Sequence, residues 1–209
     1  MTRRRDPRSL PRAEGIRART AAPRRRIDHG GKHLLVFDEL FTAELVAAVA
    51  GLMASLDYRP RPSFDQELSF GFTTASLRTL PALVETTDAL VRIFAGELGA
   101  GESPQVLSHG YAAATRFGDS TAIHQDVACA DCITFLYFGN FAWRGEWGGE
   151  IILYDDALDA IGAVTPHPGR LLMFNAALFH RTGVPNRTCP SFRYAMSLFY
   201  RCEHQLAQK

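Results

Sequence analysis

The sequence predicts a mainly β fold with flanking helices, built on a jelly-roll core (a double-stranded β-helix). Three observations carry that expectation. Short β-prone runs follow one another from residue 104 onward, broken by Gly, Asp, Asn and Pro and without helices between them. Helical periodicity is confined to the first hundred residues. The chain has 209 residues, 46% of them hydrophobic, which suits one full-sized core and not two.

Taken in order, residues 1–30 form a basic tail expected to be disordered. Residues 1–26 hold ten arginines against Asp6 and Glu14, a balance of +8, which leaves −7 for the rest of a chain whose net charge is +1. Such a segment buries too little apolar surface to order itself. An arm for a polyanion and a plain solvated tail both fit it, and the acidic body argues against a nucleic-acid partner. Residues 31–209 are read as one domain, with helical support over 42–99 and the jelly roll over 104–201. His33–Leu40 is a strand. Thr42 stands at an N-cap position with Glu44 behind it, opening a helix from Ala43 to Leu56 whose stripe is Leu45, Val46, Val49, Leu52 and Met53. Residues 57–80 show no period and read as loop or short strands. Pro81 starts a second helix, with Leu83, Val84, Leu90, Val91, Phe94 and Leu98 on its buried side and Gly99 and Gly101 ending it. The β-runs are 105–117, 132–138, 149–154, 170–175 and 192–200.

No stretch approaches the roughly 20 apolar residues of a membrane span, and the arginine-rich start lacks the apolar run of a secretory signal. Four cysteines (129, 132, 189 and 202) in a chain this long do not suggest a disulfide framework, and a reducing cytoplasm is the expected setting. Cys129 and Cys132 lack the second ligand pair of a zinc site. His33, His109, His167 and His204 have no partner at ligand spacing and read as structural.

The chemistry concentrates in His124-Gln125-Asp126. On an extended chain the i and i+2 side chains share one side. His180, 54 residues beyond Asp126, is the candidate third ligand. Two imidazoles and one carboxylate form the facial triad that suits iron(II) and leaves coordination positions open. Arg193 follows 13 residues after His180 inside an apolar β-run. Its planar guanidinium can grip the far carboxylate of a dicarboxylic cosubstrate.

Residues 115–201 carry a longer pattern. It comprises Gly118-Asp119, His124-Gln125-Asp126, Ile133–Tyr137, Trp143, Gly148-Gly149-Glu150, Pro166-His167-Pro168-Gly169-Arg170, Leu171–Phe174, His180, Val184-Pro185 and Arg193. In this order it resembles the prolyl 4-hydroxylase-like iron(II)/2-oxoglutarate oxygenases. The resemblance implies an oxidoreductase using Fe(II), 2-oxoglutarate and O₂, with ascorbate as an auxiliary reductant. It assigns iron to His124, Asp126 and His180, and the distal carboxylate of 2-oxoglutarate to Arg193. It also puts Thr134 in the strand lining the cosubstrate pocket. Relatives often place a Tyr nine residues before the first His. This chain has Thr115 there and Tyr111 four residues earlier, so either is a candidate second contact. Halogenases of the group replace the carboxylate by Gly or Ala, so Asp126 favours hydroxylation or another hydrogen-abstraction outcome. Trp143 and Trp147 either border the substrate pocket or cap the barrel, and Arg116 is a candidate for a substrate carboxylate or a surface ion pair. The expected substrate is a small molecule, an amino acid or biosynthetic intermediate. A prolyl peptide, or a jelly roll that binds without catalysing, are the alternatives.

Overall fold

The computed structural model describes residues 22–60, 68–100, 104–119 and 121–202. In chain order these form β1 (Arg25–His29), β2 (Lys32–Phe37), α1 (Ala43–Ser55), β3 (Arg59–Pro60), β4 (Leu68–Phe72), α2 (Thr74–Leu77), α3 (Pro81–Phe94), β5 (Gln105–Thr115), β6 (Ile133–Phe138), β7 (Ile151–Tyr154), β8 (Ala160–Val164), β9 (Leu171–Asn175), β10 (Phe179–Thr182) and β11 (Arg193–Cys202). Eight strands make one antiparallel sheet in the order β1-β2-β9-β6-β11-β5-β4-β3, and β10-β7-β8 make a second. The predicted jelly roll is therefore present.

Strand alternation assigns the two faces of the large sheet. In β6, Thr134, Leu136 and Phe138 point inward and Phe135 and Tyr137 outward. The inward set meets the small sheet in a core that includes Leu34, Val36, Phe174, Ile151, Leu153 and Leu178. The outward set packs with Leu35, Phe37 and Met173 under the helices, against Val49, Met53, Leu83, Leu90 and Phe94. Because both faces are covered, all six residues of β6 are buried.

The helices obey their end signals. The Thr42 hydroxyl accepts a hydrogen bond from the Leu45 amide at 3.3 Å, and Pro81 takes the first turn of α3, where its missing N–H costs nothing. The second helix is shorter than predicted. It ends at Phe94, and a 3-10 turn, Gly96–Leu98, closes on Gly99 in the left-handed conformation (φ +75°). The apolar period ran across that joint, since a 3-10 turn still buries Leu98.

Three strands and one short helix were not predicted: β1, β8, β10 and α2. β1 corrects the last residues of the supposed tail. Arg25–His29 pairs with β2 through a turn at Gly30-Gly31, where both glycines have positive φ. Residues 1–21 of that tail lie outside the described residues, as does His204. β1–β4 also extend the large sheet at both edges, so the segment before residue 104 is part of the sandwich as well as its helical cover. No helix among the described residues is long and apolar enough to cross a membrane.

One ion pair joins elements far apart in sequence. Arg170 donates through Nε and Nη2 to the two oxygens of Asp38, at 2.7 and 2.9 Å, locking the start of β9 to the end of β2. Burial works to raise the Asp38 pKa. The hydrogen bonds from Arg170 and Arg24 outweigh it and hold the carboxyl below its ordinary value.

Candidate active site

The His-x-Asp segment lies antiparallel to β10 along the edge of the small sheet. The amides and carbonyls of His124 and His180 exchange two hydrogen bonds, at 3.0 and 2.9 Å. Residues so paired stand directly opposite and send their side chains to one face. The ends of the segment are pinned as well. The Thr182 amide donates to the Thr121 hydroxyl, Gln125 Nε2 to the Ala177 carbonyl, and the Val127 amide to the Ala176 carbonyl. Cross-strand pairing thus brings His180 to His124, and the i+2 rule brings Asp126 to the same side.

These three side chains offer ligand atoms that all lie within 4.8 Å of one another. His124 Nε2 is 3.6 Å from Asp126 Oδ1, and His180 Nε2 is 3.7 Å from Oδ2. Each imidazole directs Nδ1 at a backbone carbonyl two residues back, Ala122 at 3.0 Å and Leu178 at 2.9 Å. A carbonyl only accepts, so Nδ1 carries the proton and Nε2 presents its lone pair toward Asp126. Burial pushes the His180 pKa down, keeping the ring neutral, with Asp126 partly opposing. Burial also acts to raise the Asp126 pKa, but His180 and His124 beside it outweigh that and hold the carboxyl below its ordinary value. Two neutral rings and an anion converging on one point are a donor set for a divalent cation.

The predicted cosubstrate residues share the inner face of the large sheet. Arg193 stands opposite Thr115, Ser197 opposite Tyr111, and Phe199 opposite Thr134. Arg193 is 1% exposed. Its Nε donates to the Gly149 carbonyl at 2.7 Å, and the guanidinium lies 5.0 Å from the centre of the Phe138 ring. Gly149 has φ +76°, and a Cβ there would sit 3.0 Å from Arg193 Cδ, so the Gly-Gly turn is required to seat the arginine. Asp126 Oδ2, Thr115 Oγ1 and Thr134 Oγ1 are buried without a hydrogen-bond partner among the described residues. Such orphaned polar atoms are costly unless a bound ion or polar ligand satisfies them. Tyr111 lies further along the same face, lining a cleft of ≈ 100 Å³ with His124, Gln125 and Asp126.

Other readings divide. His109 lines that same cleft and stacks on Phe199 at 4.6 Å. The signal was hidden because its neighbours come from other strands. Arg116 lies over the Phe192 ring at 5.6 Å, a cation–π contact in place of the expected ion pair. Trp143 donates to the Gly148 carbonyl and meets Trp147 edge-on at 5.5 Å, so the tryptophans brace the Gly-Gly turn. The Cys132 amide bonds the Cys129 carbonyl in a tight turn, and burial pushes the Cys132 thiol up to about 12.

Residues 109–201 match the family model described as the 2OG-Fe(II) oxygenase superfamily. No curated protein sequence matches the chain. Among solved structures, the fold is similar to a prolyl hydroxylase from Trichoplax adhaerens in complex with a hypoxia inducible factor peptide fragment. The TM-score is 0.66 at 19% identity, covering 84% of this chain and 86% of that one. It is also similar to a Pseudomonas putida prolyl-4-hydroxylase (TM-score 0.64, 16% identity, 81% and 92% covered). A third is HygX from Streptomyces hygroscopicus with nickel and 2-oxoglutarate bound (0.60, 14%, 81% and 83%). Residues 109–201, which carry the His-Asp-His set and Arg193, are thus similar to the 2OG-Fe(II) oxygenase superfamily, whose chemistry uses Fe(II), 2-oxoglutarate and O₂.

Proposed function

We propose that His124, Asp126 and His180 hold the iron, that Arg193 takes the distal carboxylate of 2-oxoglutarate, and that the enzyme hydroxylates an unactivated C–H of a small molecule. The observation that carries this reading is the convergence of two proton-fixed imidazoles and an ionised carboxylate on the small sheet and its edge segment, with a buried guanidinium on the inner face of the large sheet. When bound, the metal supplies O₂ activation coupled to decarboxylation of the 2-oxo acid, yielding succinate and CO₂. The chain's own part is positioning. The Nδ1 hydrogen bonds hold both rings as lone-pair donors at Nε2. The Thr115 and Thr134 hydroxyls are free to donate to a carboxylate or ketone oxygen of the cosubstrate. The apolar core beside them excludes water from the reacting end.

A small molecule suits the narrow cleft at the metal-ligand set. The test is O₂-dependent succinate formation by the full chain with Fe(II) and 2-oxoglutarate, measured across amino acids, small carboxylates and prolyl peptides. Turnover should be stimulated by a small molecule, and Asp126→Ala should abolish it. Absence of Fe(II)-dependent succinate would overturn the site assignment. Stimulation by peptides alone would overturn the small-molecule reading and leave the iron assignment standing.

A further inference from the structure

The cleft beside His124, Gln125 and Asp126 has a second wall, formed by His109, Tyr111, Phe199 and Arg201. Phe199 is the middle of an aromatic stack. The His109 ring lies 4.6 Å away at 15° and the Tyr111 ring 5.7 Å away at 21°. Arg201 stands two residues beyond Phe199 on β11 and so shares its inner face. At this point the β5–β11 register shifts, skipping Ser108, whose hydroxyl donates to the Phe199 carbonyl at 3.0 Å. Bulges of this kind recur beside active sites, where they re-aim side chains.

Arg201 is the unexplained member of the wall. Its Nε is buried and has no hydrogen-bond partner among the described residues. A desolvated cationic donor without an acceptor is costly, and a ligand anion at the cleft would relieve it. A single guanidinium matches a singly charged carboxylate in charge and in planar two-point geometry, whereas a phosphate dianion calls for a second cation that this wall does not supply. The outer rings of the stack, His109 and Tyr111, offer a face for a planar apolar body.

We propose that the substrate is a small carboxylate with a planar apolar body, its carboxylate held by Arg201 and its body laid on the His109–Phe199–Tyr111 stack, so that its C–H faces the metal-ligand set. The inference rests on the oxygenase reading and specifies the substrate class of that same site.

The test is calorimetric titration of the full chain, loaded with redox-inert Ni(II) and saturated with 2-oxoglutarate, using 3-phenylpropanoate and its neutral amide as probes. The carboxylate is expected to bind about tenfold or more tightly than the amide. Arg201→Gln should erase that preference and leave 2-oxoglutarate affinity within about twofold. Should that variant not fold, Arg201→Lys keeps the charge without the planar fork, and it must weaken the carboxylate several-fold while sparing the amide. Equal binding of the two probes, binding of neither, or a preference that survives Arg201→Gln overturns the subsite. Failure of 2-oxoglutarate itself to bind the nickel-loaded chain brings down the oxygenase assignment and the subsite with it. The two failures are thus distinguishable.

Discussion

At the scale of single residues, Arg193 shows how a buried cation is kept in place. One donor is used on the Gly149 carbonyl, and the plane lies against Phe138, which leaves the fork oriented by the protein before any ligand arrives. Arg193→Gln is expected to raise the 2-oxoglutarate concentration for half-maximal turnover about ten- to hundredfold, the loss of a charge-assisted pair worth about 1.5–3 kcal/mol. Metal content, read by atomic absorption, should be unchanged; an unaltered 2-oxoglutarate requirement would refute the role. His124, Asp126 and His180 were legible as a His-x-Asp pair with a distant His, and Arg193 as the one charge inside the apolar run Ser191–Tyr200. His109 and Arg201 were not, because what makes them notable is a shared wall contributed by two strands and a bulge that no local spacing encodes.

At the scale of elements, the strands that escaped sequence reading did so for physical reasons. β10 reads Phe-His-Arg-Thr, and its inward position is held by His180, so the ligand replaced the apolar residue that would have marked the alternation. β8 is short, with a glycine and exposed positions. β1 is buried in arginines, and Ile27 is its main apolar contact with the inter-sheet core. Its Gly30-Gly31 turn was the available signal. The longer elements were read within a few residues, since both faces of β6, β9 and β11 are covered and their apolar runs are continuous. The joint between β2 and β9 rests on Asp38 and Arg170, with side chains 11% and 12% exposed. Asp38→Asn should cost about 2 kcal/mol in a denaturant melt at neutral pH. Asp38 has its pKa lowered on folding from an ordinary value of 3.8. Its contribution is therefore fully present above that value and is lost as pH falls through the lower folded one. The gap between native and variant stabilities should accordingly close on acidification below about pH 4. A gap that persists there would show that the ion pair is not its source.

At the scale of the whole molecule, the proposed site spans the two sheets. The proposed iron ligands ride on the small sheet and its edge segment, and the orphaned hydroxyls and Arg193 ride on the large one. Ligands that satisfy both should stabilise the entire fold. 2-Oxoglutarate at about a hundredfold over its dissociation constant should add about 2.7 kcal/mol to the Ni(II)-loaded chain, a rise of roughly 5–10 °C in the thermal midpoint for a chain of this size. Chelation, or His180→Ala, should remove it, and a midpoint indifferent to both ligands would count against the assembled site. The inner face of β11 has one more consequence. Along that face lie Arg201, Phe199, Ser197, Ala195 and then Arg193, the last almost wholly out of solvent. A diacid gripped by Arg193 would lie deeper than a molecule held at Arg201, and is expected to enter before it.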